Sequence, residues 1–202
     1  MTTPRLELRN LSKRFGNVIV ADGLDLTVSP NQALGIVGPN GAGKSSLFSM
    51  ISGDLDPDKG TVLLDGADVT RKRADVRAAH GVGRTFQIPR PFEGLTVFEN
   101  VLVFATAAAG LRKDEANRLA ASSLERCGLG DLANQPAGAL GLLDRKRLEV
   151  ARALGSDPQL LLLDEVAGGL TDPEVALLVD LVNSLKSDGL TIVWIEHVVH
   201  AL

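Results

Sequence analysis

The stretch ALGIVGPNGAGKSSLFSMISGD, residues 33–54, decides the fold of this chain. It opens with an apolar run typical of a buried strand, passes through a glycine-rich loop, and continues as a helix that ends at Gly53. Within it, Gly38–Ser45 fits the pattern of a glycine, four residues and then Gly-Lys-Ser. Because this pattern holds phosphate groups when it joins a strand to a helix, the stretch predicts a nucleotide site in an α/β fold. A chance glycine-rich turn is the alternative, and the two flanking elements argue against it.

Each residue type in this loop has a task in holding phosphate. The glycines let backbone N–H groups turn inward, and the N-terminus of the following helix adds positive potential. We expect Lys44 to reach the β- and γ-phosphates of the nucleotide and Ser45 to ligate Mg²⁺. The candidate nucleotide-binding residues are Gly38, Pro39, Asn40, Gly41, Ala42, Gly43, Lys44, Ser45 and Ser46.

A second apolar run, LLLLDE at residues 160–165, contains the acidic residues that such a loop needs. Its four leucines predict a fully buried strand, with Asp164 at the end to hold the Mg²⁺ shell. Glu165 can polarise the attacking water, since positioning is the main task of the protein in phosphoryl transfer. Taken alone, these letters also fit a simple turn at the end of a strand. The phosphate loop favours the functional interpretation.

Two further polar residues are candidates for contact with the γ-phosphate or its surroundings. The segment IVWIEH, residues 192–197, is a strand that we expect to deliver Glu196 and His197 to the same sheet edge. A histidine there can donate a hydrogen bond to the γ-phosphate, although a lone histidine after a strand also fits a structural role. Gln87, at the end of GRTFQ, can contact both a metal ion and a water. The predicted catalytic residues are Glu165, His197 and Gln87, and the predicted metal ligands are Ser45, Gln87 and Asp164.

The composition is that of an ordinary folded protein. With 202 residues, 45% of them apolar and 23% charged, the chain fits one compact domain. A net charge of −4 argues against nucleic-acid binding, which usually needs a basic surplus. The single cysteine, Cys127, cannot form an internal disulfide, which favours a reducing cytoplasm and a small buried side chain. The longest apolar run, Val101–Leu111, is too short for a bilayer, which needs about 20 residues.

The pattern along the chain predicts a domain with three parts. Residues 5–15 and 17–30 alternate apolar and polar positions and predict antiparallel strands, followed by a hairpin-like strand within residues 57–69. From about Phe92 to Asp157 the pattern is mainly helical. The chain then returns to strand, loop, helix and strand. This order predicts a parallel sheet with an antiparallel sheet in front and a helical insertion in the middle.

The order of these motifs resembles that of the ATP-binding subunits of ABC transporters, over essentially the whole chain. The resemblance includes GPNGAGKSS, the Q-loop residue Gln87, LLLLDE, the D-loop region GGLTDPE and the switch histidine His197. It implies a P-loop NTPase (RecA-like) core with an N-terminal antiparallel β subdomain and an inserted α-helical subdomain at about residues 88–158. It also implies that Phe15, in SKRFGNV, stacks on adenine. A core phenylalanine is the alternative.

Finer features resemble the larger ATPase subunit of branched-chain amino acid (Liv) transporters. They are GRTFQIPRPFEGLTVFENVLV and KRLEVARAL, which urea and amide importers share. The resemblance implies an importer ATPase driven by MgATP-dependent dimer closure, peripheral on the cytoplasmic face of the membrane. Its partners would be permease subunits, a second ATPase subunit and, indirectly, a substrate-binding protein, but no nucleic acid. The apolar cluster around Gln87 would lie near the permease, with ordinary packing as the alternative.

Two features depart from the family pattern. The signature loop, Leu-Ser-Gly-Gly-Gln in the family, is degenerate here and reads Leu140, Gly141, Leu142, Leu143 and Asp144. Losing the serine hydroxyl removes a hydrogen bond to a charged group, which is worth about 1.5–3 kcal/mol. Asp144 adds negative charge, although it also suits a helix N-cap. Thr171 departs as well, in the D-loop region.

The residues around the phosphate loop do not depart from the family pattern, and this difference between the two loops indicates which kind of ATPase subunit the protein dimerises with. Lys44, Ser45, Asp164, Glu165 and His197 all match the family. A heterodimer with a subunit carrying an intact signature loop would keep one good site, so we favour it over a homodimer with two impaired sites. Family members also continue past the switch histidine with further strands and a helix. We therefore expect that the single domain at residues 1–202 is truncated at its C-terminal end.

Three other functions compete with the transporter ATPase. A regulatory module would bind ATP but barely hydrolyse it, because of the degenerate signature loop. A soluble, non-transport ABC ATPase of translation or DNA repair usually carries two cassettes or a long coiled-coil insertion. Small-molecule kinases share the phosphate loop but not the order of Gln87, Asp164, Glu165 and His197.

Overall fold

Two four-stranded sheets form the framework of the protein, described for residues 3–197 by a computed structural model. The elements in chain order are β1 (Leu6–Phe15), β2 (Val18–Val28), β3 (Ala33–Val37), α1 (Lys44–Ser52), β4 (Lys59–Leu64), β5 (Ala67–Asp68), α2 (Ala74–Ala79), β6 (Val82–Arg84), α3 (Val97–Ala107), α4 (Lys113–Arg126), α5 (Leu142–Leu154), β7 (Leu160–Asp164), α6 (Asp172–Ser187) and β8 (Thr191–Glu196). One sheet is antiparallel, in the order β2-β1-β4-β5. The other is parallel, in the order β3-β8-β7-β6.

The two central strands of the parallel sheet lie between two apolar cores. Alternate side chains of a strand point to opposite faces, and β7 and β8 are buried on both. Leu161 and Leu163 of β7 pack with Trp194 of β8 and with helices α3 to α6. Leu160 and Leu162 pack on the opposite face, against α1 and the antiparallel sheet. The position of the carboxyl ends of these strands is therefore fixed from both sides.

Glycines and one buried arginine determine where helix α1 begins and ends. Gly43 and Gly53 cap it with φ angles of 84° and 88°, in the left-handed region that glycine adopts without steric cost. The fully buried Arg77 of α2 donates from Nη1 to the carbonyl oxygens of Met50 and Ile51, at 2.5 and 2.9 Å. These carbonyls lie in the last turn of α1 and lack helical partners, so Arg77 satisfies acceptors that would otherwise be buried without a hydrogen bond.

Helices α3, α4 and α5 all lie between β6 and β7 in the chain. Helix α3 begins with a capping box, in which Thr96 Oγ1 accepts from Glu99 N at 3.1 Å and Glu99 Oε2 accepts from Thr96 N at 2.8 Å. Cys127, just after α4, is buried, as expected from the sequence, and burial raises the pKa of its thiol to about 12.

The predicted fold class is confirmed: an antiparallel sheet that begins at the N-terminal strands accompanies a parallel sheet, with helices inserted between the strands of the parallel sheet. The short elements α2 and β6 were not predicted. The proposed N-cap role of Asp144 is wrong, because α5 begins at Leu142 with Gly141 as its N-cap and Asp144 already inside the first turn. No helix within residues 3–197 is long and apolar enough to cross a membrane. The predicted truncation concerns the end of the chain, and residues 198–202 lie outside the described part.

We expect Leu163→Ala to lower the free energy of unfolding by about 2–5 kcal/mol, because it removes apolar contacts and leaves a cavity beside Trp194. The matched control is Leu177→Ala on α6, whose side chain is 46% exposed, whereas Leu163 is 0% exposed. The control should change stability by less than about 0.5 kcal/mol. Urea unfolding followed by circular dichroism measures both, and equal effects would contradict the two-core description.

Candidate nucleotide-binding site

The predicted phosphate loop borders a cleft of about 410 Å³ at the start of α1. The loop leaves β3 after Val37 and returns to helical geometry at Lys44. The cleft is lined by Val20, Asn40, Gly41, Ala42, Gly43, Lys44, Ser45, Ser46, Gln87 and Glu165. Because the first backbone N–H groups of a helix lack acceptors, the loop and the start of α1 present donors suited to an anion.

Lys44 is buried and holds the loop closed through the backbone. Its Nζ donates to the carbonyl oxygens of Gly38 and Pro39, at 2.5 and 2.9 Å. The ammonium group is thus held over the loop and lines the cleft, where it can interact with phosphate oxygens.

Gly43 is the point at which the loop most closely approaches another strand. A Cβ atom built on it would lie 2.3 Å from the carbonyl oxygen of Val20 in β2. Its φ of 84° is also unfavourable for any residue with a side chain. By contrast, Gly41 has a φ of 81°, but apart from its chain neighbours no atom of the described residues lies within 4 Å of its ideal Cβ position. The two glycines thus share a left-handed backbone, but only at Gly43 would an added Cβ collide with the carbonyl of Val20.

Asp164 lies at the carboxyl end of β7 with one carboxylate oxygen paired and one unpaired. Arg84 Nη2 donates to its Oδ2 at 3.2 Å, and Asp164 N donates to Thr85 Oγ1 at 3.1 Å. Its Oδ1 is buried and makes no hydrogen bond within the described residues. Burial raises the pKa of Asp164, while the hydrogen bond from Arg84 acts in the opposite direction. An unpaired buried carboxylate oxygen is a suitable ligand for a cation or for its bound water.

Gln87 and His197 converge on the side chain of Glu165. Gln87 Nε2 donates to Glu165 Oε2 at 2.5 Å, and His197 Nδ1 lies 3.4 Å from the same oxygen. Glu165 has a φ of 49°, which is strained for a residue with a side chain. Its N–H donates to the carbonyl of Ile195 in β8 at 2.9 Å. The structure therefore brings the three predicted catalytic residues together at one carboxylate oxygen, beside the phosphate loop.

Glu196 and Phe15 are the other two predicted positions. Glu196 ends β8 at this sheet edge, as expected, but its side chain is fully buried, and its Oε1 accepts from Ala167 N at 2.8 Å and from Trp194 Nε1 at 3.0 Å. Phe15 is 50% exposed at the end of β1, so the alternative of a core phenylalanine is wrong. Phe15 is not among the residues lining the cleft, and Lys13 Nζ lies 5.4 Å from its ring centroid.

The degenerate signature loop lies outside this cleft. Leu140 is buried, Gly141 and Leu142 are exposed, and Leu143 and Asp144 are partly buried. Arg145 fixes the entry to α5, because its Nε and Nη2 donate to the carbonyls of Leu140 and Gly138, both at 2.8 Å. Thr171, the departure in the D-loop region, is the N-cap of α6 and donates to Glu174 Oε2 at 2.7 Å. The capping role gives a physical reason for threonine at this position.

Sequence reasoning missed two charged residues that contact the site. Arg84, at the end of β6, donates to Asp164, and Lys146, in α5, donates to the carbonyl of Gln87 at 2.9 Å. The only signal for Arg84 was a charged residue immediately before the apolar cluster of the Q-loop. Lys146 had none, because a lysine in an amphipathic helix is typical of an exposed face.

A phosphate loop at the start of a helix, beside two carboxylates at the end of a buried parallel strand, defines a P-loop nucleoside triphosphatase. A family model described as "ABC transporter" matches residues 21–168. The chain belongs to this family as an ATP-binding subunit, and its enzymatic class is ATPase. This confirms the resemblance found in the sequence.

Individual relatives agree with the family assignment. The chain is 36% identical to the high-affinity branched-chain amino acid transport ATP-binding protein BraF of Pseudomonas aeruginosa, over 98% of this chain and 83% of that protein. It is 31% identical to the lipopolysaccharide export system ATP-binding protein LptB of Haemophilus influenzae, over 95% of this chain and 80% of that protein. Among solved structures, the ADP conformation of MJ1267, an ATP-binding cassette of an ABC transporter, superposes with a TM-score of 0.89. It is 31% identical, and the match covers 97% of this chain and 82% of that one.

We expect Gly43→Ala to weaken ATP binding by about tenfold or more, because the new methyl group would collide with the carbonyl of Val20 and displace the loop. Gly41→Ala is the matched control: it has the same kind of φ angle but open space around the added carbon, so its effect should be clearly smaller. Calorimetric titration with MgATP measures both affinities. Equal losses would mean that backbone strain, and not the contact with β2, limits the loop.

Proposed function

We propose that this protein hydrolyses MgATP to power an importer of branched-chain amino acids or related amides. The observation that carries the catalytic part of this proposal is the convergence of Gln87 and His197 on Glu165, next to the phosphate loop. A subunit that only binds ATP has no need for a buried, strained carboxylate held by an amide and an imidazole. The geometry thus favours hydrolysis over the regulatory module.

In the proposed site, the loop and α1 bind the phosphates of ATP. The N–H groups at the start of α1 and the Lys44 ammonium would neutralise the β- and γ-phosphates. Ser45, Gln87 and Asp164 are the proposed ligands of Mg²⁺ or of its waters. They fit because Asp164 Oδ1 is buried with no hydrogen bond from the described residues, and because Ser45 and Gln87 line the cleft. Bound Mg²⁺ would supply charge neutralisation at the β- and γ-oxygens. Phe15 is exposed and remains the proposed stacking partner of adenine.

Glu165 is the proposed base that polarises the attacking water. Gln87 would orient the water and restrain the Glu165 carboxylate through the hydrogen bond they share. His197 would donate to the γ-phosphate, and its position beside the same carboxylate lets it respond when that phosphate leaves. Positioning and electrostatics, without covalent catalysis, are what phosphoryl transfer requires of these side chains.

An exposed apolar surface next to Gln87 is the proposed docking site for a permease. Phe86, Ile88 and Phe92 are exposed, which argues against the alternative of ordinary packing for these three. Beside them, a groove of about 340 Å³ is lined by Asp75, Ala78, Phe92, Val103, Phe104, Ala107 and Ala108. Its mainly apolar lining suits one short helix of an integral-membrane subunit. Docking there would place this protein at the cytoplasmic face of the membrane.

The signature loop supports the proposal of a heterodimer. In a two-subunit sandwich, the phosphate loop of this chain would face the signature loop of its partner. Leu142 is exposed and lies against Gly169, so an apolar side chain stands where the family has a glycine. The partner we propose is a second ATPase with an intact signature loop, working with permease subunits and a substrate-binding protein.

The choice of substrate rests on similarity to BraF, and LptB is a relative of comparable coverage that serves lipopolysaccharide export. In cells whose chromosomal gene carries Glu165→Gln, we expect uptake of labelled leucine to fall to background and uptake of ribose to be unchanged. Loss of ribose uptake alone, or normal leucine uptake by cells whose purified variant lacks ATPase activity, would contradict the substrate proposal.

A second variant tests the role of the signature loop directly. Gly141 has a φ of −68°, and in the described part of the chain no atom beyond its sequence neighbours lies within 4 Å of its ideal Cβ, so serine fits there without strain. Gly141→Ser restores the missing hydroxyl, and we expect the ATPase rate of the isolated chain to rise by about tenfold at equal protein concentration. Gly141→Ala adds the same carbon without the hydroxyl and should leave the rate unchanged. A similar rise in both variants would rule out the hydroxyl as the cause.

A further inference from the structure

Helix α5 contacts the proposed catalytic centre of its own chain through a buried lysine. Lys146 lies one turn after the start of α5 and is 3% exposed. Its Nζ donates to the carbonyl oxygen of Gln87 at 2.9 Å and to that of Glu165 at 3.4 Å. One ammonium group therefore joins the backbones of the two residues whose side chains meet at the Glu165 carboxylate.

Lys146 is buried, and three nearby carboxylates favour its charged form. Burial lowers the pKa of Lys146, and the carboxylates of Glu196, Glu149 and Glu165 oppose this effect. Burying a charge is costly unless it is paired and hydrogen-bonded, so packing alone would be better served by an apolar side chain. A lysine here implies a need for its hydrogen bonds to the two carbonyls.

Two more residues on the same face of α5 hold the segment that follows Gln87. Glu149 Oε1 accepts from Arg90 N at 2.9 Å, and Arg152 Nη1 donates to the carbonyl of Arg90 at 2.9 Å. Positions 146, 149 and 152 are three residues apart and therefore share one helix face. Side chains on this face therefore hydrogen-bond the backbone of the Gln87–Arg90 segment at both ends. Lys146 also hydrogen-bonds the backbone of Glu165.

We propose that Lys146 is a positioning residue for ATP hydrolysis, which holds Gln87 and Glu165 at the separation required by the attacking water. The inference rests on the proposed function of these two residues. Because α5 begins within the signature loop, only Arg145 separates Asp144 from Lys146. A displacement of that loop by nucleotide bound on the partner would thus be transmitted to the site of this chain.

The test compares Lys146→Met with Lys146→Arg and with Lys186→Met, the same change at an exposed lysine of α6. We expect Lys146→Met to lower kcat by about tenfold or more while the KM for ATP changes by less than about threefold, because the phosphate loop is untouched. Lys146→Arg should keep kcat within about threefold of the wild type, since it retains a charged donor. Lys186→Met should match the wild type.

Three results would overturn the proposal: a wild-type kcat in Lys146→Met, a loss of activity explained entirely by KM, or an arginine variant as inactive as the methionine variant.

Hydrogen exchange supplies a second readout that needs no activity. In Lys146→Met, backbone amides within residues 87–90 should exchange about tenfold faster or more, while those of α6 keep their wild-type rate. Unchanged exchange in residues 87–90 would overturn the positioning role, and faster exchange in α6 as well would reduce it to global destabilisation. A wild-type chain that hydrolyses ATP no faster than Glu165→Gln, even when assembled with its partner ATPase and permease subunits, would instead reject the proposed function, and the exchange comparison would still decide whether Lys146 holds the loop.

Discussion

The structure depends on the pairing of β7 with β8 between two apolar cores. Their side chains alternate between the cluster around the helices and the cluster under the antiparallel sheet, so neither strand can shift without disturbing both. Since parallel strands end at one edge, this constraint fixes Asp164, Glu165 and His197 relative to one another. The phosphate loop, which follows the adjacent strand β3, is brought to the same edge. The site is thus a consequence of how the sheet is buried.

Charge is the second feature that organises the molecule. Asp164, Glu165 and Glu196 are all buried near the ends of β7 and β8, and a cluster of like charges is unfavourable without cations. Arg84 forms an ion pair with Asp164. The carboxylates of Glu196 and Glu165 both interact electrostatically with the Lys146 ammonium group and raise its pKa, against the effect of burial. Asp164 Oδ1, which accepts no hydrogen bond from residues 3–197, remains for a ligand. The acidic site is therefore balanced partly by the protein and, in our proposal, partly by what binds there.

The sequence predicted those parts of the site whose signals are local. The phosphate loop and LLLLDE each combine a recognisable pattern with the element that carries it. Helix α2 and strand β6 were missed because six and three residues are too short for a periodic signal. The buried positions of Lys146 and Glu196 were missed because they depend on contacts between distant segments. The start of α5 was misplaced because Asp144 is a good N-cap residue, while the structure uses Gly141.

Because the signature loop is degenerate, hydrolysis by this protein depends on which subunit it dimerises with. The phosphate loop matches the family, whereas the signature loop is degenerate. We therefore expect a subunit that binds ATP by itself but forms the closed two-subunit sandwich only with a different chain. Light scattering coupled to gel filtration on Glu165→Gln, with and without MgATP, tests this directly, with ATP binding confirmed by calorimetry. We expect a monomer in both runs, with ATP bound in the run that contains MgATP. An ATP-dependent homodimer would contradict it, because it would show that the loop at residues 140–144 still closes on a nucleotide.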